Sequence, residues 1–364
     1  LLISSIIALA TASLFAQRTV STTYDLARQV AIEGPVTRIE WVNPRAFVFV
    51  DVKDSTGSVA NWAVEIGNPL DLENGGWSSA SLTIGDVIKV AGSPARSTTR
   101  QVLAGTITAT KTGRRLFAPA RPRAAVATAP VPRRPDGRVR LGALPGKSGY
   151  WGEPSATALV DRNAGQIPMS AEGLLVNLSD ADRVAPFQPW ARSLYLYRQR
   201  TLLKDDPVTR CLPAGGPRQF QTANGFQFVE QPELGRILVM LGGGDRNWRV
   251  IFVDGRPVGQ AAEVVPAYYG TSVGRWEGDT LVVDTVGFNE RFWMSAGGLP
   301  HTEALHLTER FTRSDANTLK YDVTVDDSRT YTRPWSGGWT LRWIADKDIQ
   351  EYFCEDNAES TFIR

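Results

Sequence analysis

Two histidines and two cysteines bound the chemistry open to this 364-residue chain. Both histidines, His301 and His306, fall in the stretch HTEALHLTER, with Glu303 between them. Alternate residues of a strand share a face, so His301 is expected beside Glu303, with His306 pointing the other way. His-x-Glu can supply two metal ligands, and neighbouring histidines suit proton transfer. The spacing is not that of a helical His-Glu-x-x-His site, and a bulge would be needed to turn His306 inward. A metal at His301, Glu303 and His306 is therefore the lesser alternative to polar residues rimming a barrel, and no cofactor is expected. Glu309 is more informative, because it alternates with Leu305, Leu307 and Phe311. A carboxylate buried among apolar side chains must be paired or protonated, which is how a general acid or base is tuned. The competing reading is a structural ion pair with an arginine such as Arg275. Glu309, His301 and Glu303 are thus the candidate catalytic residues.

The stretch GFNERFWMSAGGLP precedes them. Phe292, Trp293 and Met294 fall in a connection expected to face solvent, costly unless they cover something. With Gly297 and Gly298 beside them, they read either as a lid over a barrel mouth or as a loop folded back on the barrel's outside. Asp284 alternates with Thr280 and Val282 and is either solvated or barrel-lining. With His306, Arg275 and Tyr321 it completes the expected ligand-binding set. Asp279 is a turn former, Gly242-Gly243-Gly244 has no helix after it to make a phosphate loop, and no Gly-x-Ser-x-Gly elbow is present.

The elements that must position these residues are mostly strands. Alternation marks Val30–Val42, Ala46–Lys53, Val59–Ile66, Asp86–Gly92 and Gln101–Ala109. Between the third and fourth, Asn68-Pro69 and Gly75 bracket one short helix. That order is the order of an OB-type barrel over residues 20–112. Residues 113–149, rich in Pro, Ala and Arg without periodicity, read as a solvated, semi-rigid linker whose arginines could touch an anionic envelope surface. Pro189 opens a helix in which Trp190, Leu194 and Tyr197 share a face expected to pack against the next domain. Ten further strands follow: Phe226–Gln231, Arg236–Leu241, Trp248–Asp254, Thr271–Trp276, Thr280–Val286, Leu305–Arg313, Thr318–Asp326, Thr330–Trp335, Gly338–Ile344 and Gln350–Cys354. Joined by tight turns, they predict an up-and-down, lipocalin-like barrel with a helical lead-in over residues 150–364. The fold class is mainly β, with one or two short helices.

Composition agrees, with 11 Trp, 33 Gly and only 3 Met. The formal net charge of +2 makes no electrostatic case for nucleic acid. At the N-terminus an apolar run, Leu1 to Leu9, precedes small residues at Ala10 and Ala12, the pattern of a secretory signal peptide over residues 1–16. With no Met or basic segment ahead of it, that leader reads as truncated, and the mature chain is expected to have no transmembrane segment. Export to the periplasm or beyond makes Cys211 and Cys354 a disulfide pair.

The segments TRCLPAGGPR, VIFVDGRP, GTSVGRWEGDTLVVDTVGFN, PHTEALHLTERFTR and QEYFCED resemble an uncharacterised family of exported proteins common in environmental bacteria. GPVTRIEWVNPRAFVFVDV and NWAVEIGNPLDLENGGW are similar to a separate small exported domain of unknown function. The resemblance implies fold and location and no particular reaction. The N-terminal family usually has His near its start and after Asn-Pro, where this chain has Thr22-Thr23 and Arg45; the C-terminal family often has His where this chain has Val258. A metal-dependent activity is correspondingly disfavoured. The expected function is an exported barrel that binds, and could transform, a small apolar or aromatic molecule. The alternative is a non-catalytic envelope adaptor for protein or glycan.

Overall fold

The computed structural model describes residues 23–351 and Cys354, apart from 43–44, 75, 98, 118–128, 153, 157, 171–172, 223, 244–246 and 259–264. Residues 1–16, expected to be a signal peptide, lie outside the described residues.

The small barrel is built from β1 (Val30–Val42), β2 (Arg45–Lys53), β3 (Val59–Gly67), helix α1 (Pro69–Asn74), β4 (Val87–Pro94), β5 (Gln101–Ala109) and β6 (Arg115–Phe117). The order is β3-β2-β1-β4-β5-β6, and a parallel β3–β5 pairing from Ala63↔Gln101 to Glu65↔Leu103 closes it. The first five strands follow the expected OB-like order, with strand ends within two residues of the alternation pattern, whereas β6 falls in the segment expected to be linker. Val48, Val50, Val64, Val90 and Ile107 fill the centre. Gly34 is required where β1 crosses β2, because a Cβ there would collide with the Asp51 carbonyl oxygen.

In the second domain, nine strands among the described residues form a closed barrel. They are β7 (Gly149–Gly152), β8 (Phe226–Gln231), β9 (Arg236–Leu241), β10 (Trp248–Phe252), β11 (Thr271–Glu277), β12 (Thr280–Val286), β13 (His306–Asp315), β14 (Thr318–Asp326) and β15 (Trp335–Ala345). Each strand pairs with the next in sequence, and β15 returns to β7. An odd ring cannot be antiparallel throughout, so one pair must be parallel. That seam is β10–β11, held through Ile251↔Ser272 and Phe252↔Val273.

Four expectations are corrected here. The strand expected at Thr330–Trp335 is a turn until Trp335, because the Asp327 carboxylate accepts from the backbone N–H groups of Arg329 and Thr330 and from the Thr330 hydroxyl. No strand is present among the described residues of 350–354. The linker, from Ala129 onward, is docked on the barrel: Val139 and Leu141 are fully buried, and the Trp151 indole donates to the Leu141 carbonyl. Arg133 also holds Asp279 through two hydrogen bonds of 2.9 and 2.7 Å. A segment too poor in apolar residues to fold alone thus folds onto a surface that supplies the missing contacts.

The last correction concerns helix α3 (Pro189–Arg200), which follows the short helix α2 (Ala181–Val184). Its buried face carries Ala191, Tyr195, Leu196 and Gln199. Trp190 and Tyr197 are exposed, at 46% and 49%, and Leu194 is half-buried. Gln199 decides which side turns inward, because its side chain bonds the Gly173 and Gly297 carbonyls and the Leu175 N–H.

Candidate functional site

Along β13 the inward residues are Leu307, Glu309, Phe311 and Arg313, all buried. Glu309 does lie inside, with no exposed surface. Its partner is Arg249 of β10, which donates to both carboxylate oxygens, one at 3.1 Å. The Tyr321 hydroxyl donates to Glu309 at 2.9 Å, and Arg249 also bonds the hydroxyls of Ser272 (2.8 Å) and Thr285 (2.7 Å). Burial first, and then the Glu309 carboxylate, push the Tyr321 hydroxyl well above its ordinary range. The expected partner, Arg275, sits on the outer face, where it bonds Asp284 and Glu277. Strand alternation accounts for the difference, since Arg249 falls in phase with the inward Ile251 and Arg275 with the outward Val273. An arginine on the inward phase was the sequence signal for this network.

The network is enclosed by aromatic packing. Phe220, from the 3₁₀ segment Gly216–Gln221 threaded into the barrel, meets Phe226, Phe311 and Tyr321 with ring centroids 4.8, 5.2 and 5.0 Å apart. A lumen filled in this way at the Glu309 level leaves its carboxylate no open edge for a substrate.

His301 and Glu303 are not brought together, because regular strand begins only at His306. Thr302 is tied to Asp327 by its N–H and its hydroxyl, which makes this stretch a turn. Glu303 is exposed, whereas His301 is buried against the Phe292 ring at 4.1 Å. Its ring nitrogens face the carbonyls of Phe292 (3.0 Å) and Thr302 (3.2 Å). Burial depresses the imidazole below its ordinary pKa, outweighing those carbonyls. Phe292, Trp293 and Met294 are buried too, with the Arg198 guanidinium over the Trp293 ring at 4.5 Å, so this loop is part of the packed core. His306 lies on the outer face, 3.2 Å from Asp284, which also accepts from Thr308 (2.8 Å) and Arg275 (2.6 Å). Burial works to raise the Asp284 carboxyl, but the Thr308 hydroxyl and Arg275 overcome it and hold it below its ordinary range. His301, Glu303 and His306 therefore do not converge, and no group of three metal-ligating side chains is assembled among the described residues.

An open site lies at the barrel end where the docked arm crosses β7 and β8. It is a cleft of about 350 Å³ lined by Arg140, Ala143, Lys147, Ser148, Gln227, Glu230 and Asp348, over the backbone of Phe228 and Val229. Glu230 builds its wall: one oxygen accepts from the Leu141 and Gly142 N–H groups (2.8 and 3.3 Å), the other from Arg134 (3.0 Å). Arg313, which does not itself line the cleft, donates to the carbonyls of two residues that do, Arg140 (2.7 Å) and Gly142 (3.2 Å). Its guanidinium sits 4.8 and 5.2 Å from the Trp151 and Trp343 rings, and burial brings its pKa down to about 10. The sequence offered no local signal for this cleft, since its walls come from three separated segments.

The cleft also lies near the junction with the small barrel. Lys347, next to Asp348, is 3.7 Å from Glu73 of α1, and Asn68 donates to Asn224 at 3.3 Å. The expected disulfide, Cys211–Cys354, is present and ties the C-terminal segment to the lead-in of the barrel. No helix among the described residues is long and apolar enough to cross a membrane.

No curated protein matches the chain. Residues 5–104, which run from ahead of the small barrel into β5, match the model of a family described as a family of unknown function (DUF6152).

Proposed function

We propose that this protein is an exported binding protein that takes a small molecule in the cleft between the docked arm and β8. The carrying observation is the contrast between a barrel lumen filled around Glu309 and a cleft of about 350 Å³ at the barrel end. That volume is in the range of small-molecule sites, roughly 300–1,000 Å³. The disulfide supports an oxidising compartment such as the periplasm. Binding rather than turnover is favoured because neither a His nor a Cys lines the cleft, and its one buried carboxylate, Glu230, is committed to Arg134 and two backbone N–H groups.

The test is ligand-induced stabilisation. A panel of amino acids, sugars, nucleosides and short carboxylic acids is screened by thermal unfolding against the wild type and Ala143→Trp, whose indole would fill the cleft. The expected result is a saturable rise in Tm in the wild type that the tryptophan abolishes. Equal stabilisation of both proteins, or none of either, overturns the reading.

A further inference from the structure

Building on that reading, we infer that the cleft recognises an oxyanion, a carboxylate or phosphate group of its ligand, through Arg140 with Lys147. The inference starts from the charges at this end of the barrel. Two cations line the cleft, Arg140 and Lys147, a third, Arg313, lies behind Arg140, and none of them is in an ion pair among the described residues. The nearby carboxylate that could have served them, Glu230, is already neutralised by Arg134 and two backbone N–H groups. Asp348 lines the cleft and Asp346 lies close by; both are exposed to water and screened, as Lys147 is, so the half-buried Arg140 is the least-screened unpaired charge on the wall.

The donors tell the same story independently. The Nε atoms of Arg140 and Arg313 are both buried without a hydrogen-bond partner. Buried N–H groups are almost always satisfied, and of these two arginines it is Arg140 that lines the cleft, with its guanidinium in no ion pair among the described residues. The two arginines are physically linked, because Arg313 donates to the Arg140 carbonyl at 2.7 Å. Arg313 is held by three carbonyls and two indole rings and serves as a fixed positive charge behind the site. Arg140 is half-buried on the cleft wall, and Lys147 is exposed at its edge. A planar guanidinium beneath and a mobile ammonium above suit an oxyanion entering from solvent. A neutral or cationic ligand would leave the Arg140 guanidinium without a counter-ion.

The experiment titrates the full oxidised chain with inorganic phosphate and, separately, with acetate, while sodium chloride keeps the ionic strength constant. Intrinsic fluorescence, to which Trp151 and Trp343 contribute beside Arg313, is one readout and Tm is the other. Saturable binding of one or both anions is expected, and which anion binds more tightly separates a phosphate from a carboxylate ligand. Arg140→Gln should weaken it at least tenfold, and Lys147→Glu, a rim change that cannot disturb packing, several-fold. Chloride acting as well as either oxyanion, or variants binding as the wild type does, overturns the inference. If neutral sugars or nucleosides stabilise the wild type but not Ala143→Trp while oxyanions do nothing, the cleft reading stands and the oxyanion assignment falls. If nothing binds, both fall.

Discussion

Arg249 and Glu309 meet across the barrel lumen as a two-pronged ion pair, from strands three places apart in the ring. β11 and β12 lie between them, and each sends one hydroxyl, Ser272 and Thr285, to the same guanidinium. The pair therefore ties four consecutive strands together from the inside, beside the weak two-residue parallel seam between β10 and β11. That seam and the single Trp151↔Phe226 pairing of β7 with β8 are the least-bonded joints of the ring, and the cross-link braces the first of them.

Glu309→Gln should leave Arg249 as a buried cation without its counter-charge. Breaking a buried pair by removing one partner costs about 3–5 kcal/mol. Urea unfolding followed by far-UV circular dichroism should show that loss, with anion binding at the cleft unchanged in the folded fraction. A loss below about 1 kcal/mol would show that the pair does not hold the barrel.

Reduction of Cys211–Cys354 should also weaken the second domain. The two residues are 143 apart in sequence. In the chain-entropy model a loop of that size is worth up to about 5 kcal/mol. Comparison of Tm with and without a dithiol reductant measures the effect, and peptide mapping under non-reducing conditions confirms the bond. Free thiols at both positions in exported protein would contradict it.

Limited trypsin digestion should spare Arg140 until the barrel unfolds, because Val139 and Leu141 on either side are fully buried. Cleavage must extract both from the core, so it should track global unfolding in urea. Mass spectrometry of early fragments decides the matter. A first cut at Arg140 in native conditions would show that the arm is not docked.

His301 should make stability depend on mildly acid pH. Its folded-state pKa is depressed by burial, so the unfolded chain binds the proton more readily. The contribution is intact above the ordinary imidazole value near 6.5 and is lost as pH falls from there to the depressed value. Urea midpoints should drop between pH 7.5 and 5.5 in the wild type, and less so in His301→Gln. Identical slopes in the two proteins would remove His301 as the cause.

The chain's own alternation determined the first five strands of the small barrel, eight of the nine strands of the large barrel and the inward placement of Glu309, its capping residues determined the helix between Asn68 and Gly75, and its cysteine count the pairing of Cys211 with Cys354. These are local or compositional properties, since a period of two names the buried face without reference to what lies opposite. Tertiary structure alone decided that Arg249 rather than Arg275 answers Glu309, because the partner is chosen across the lumen, where sequence distance carries no information. It likewise decided that Gly149–Gly152, only four residues long, closes the ring between β15 and β8. The same holds for the arm, whose prolines and arginines have no periodicity of their own. It takes its shape, and makes the cleft, from a barrel surface formed by residues up to some two hundred positions further along the chain. Such contacts depend on non-local packing, which a short window of sequence does not contain.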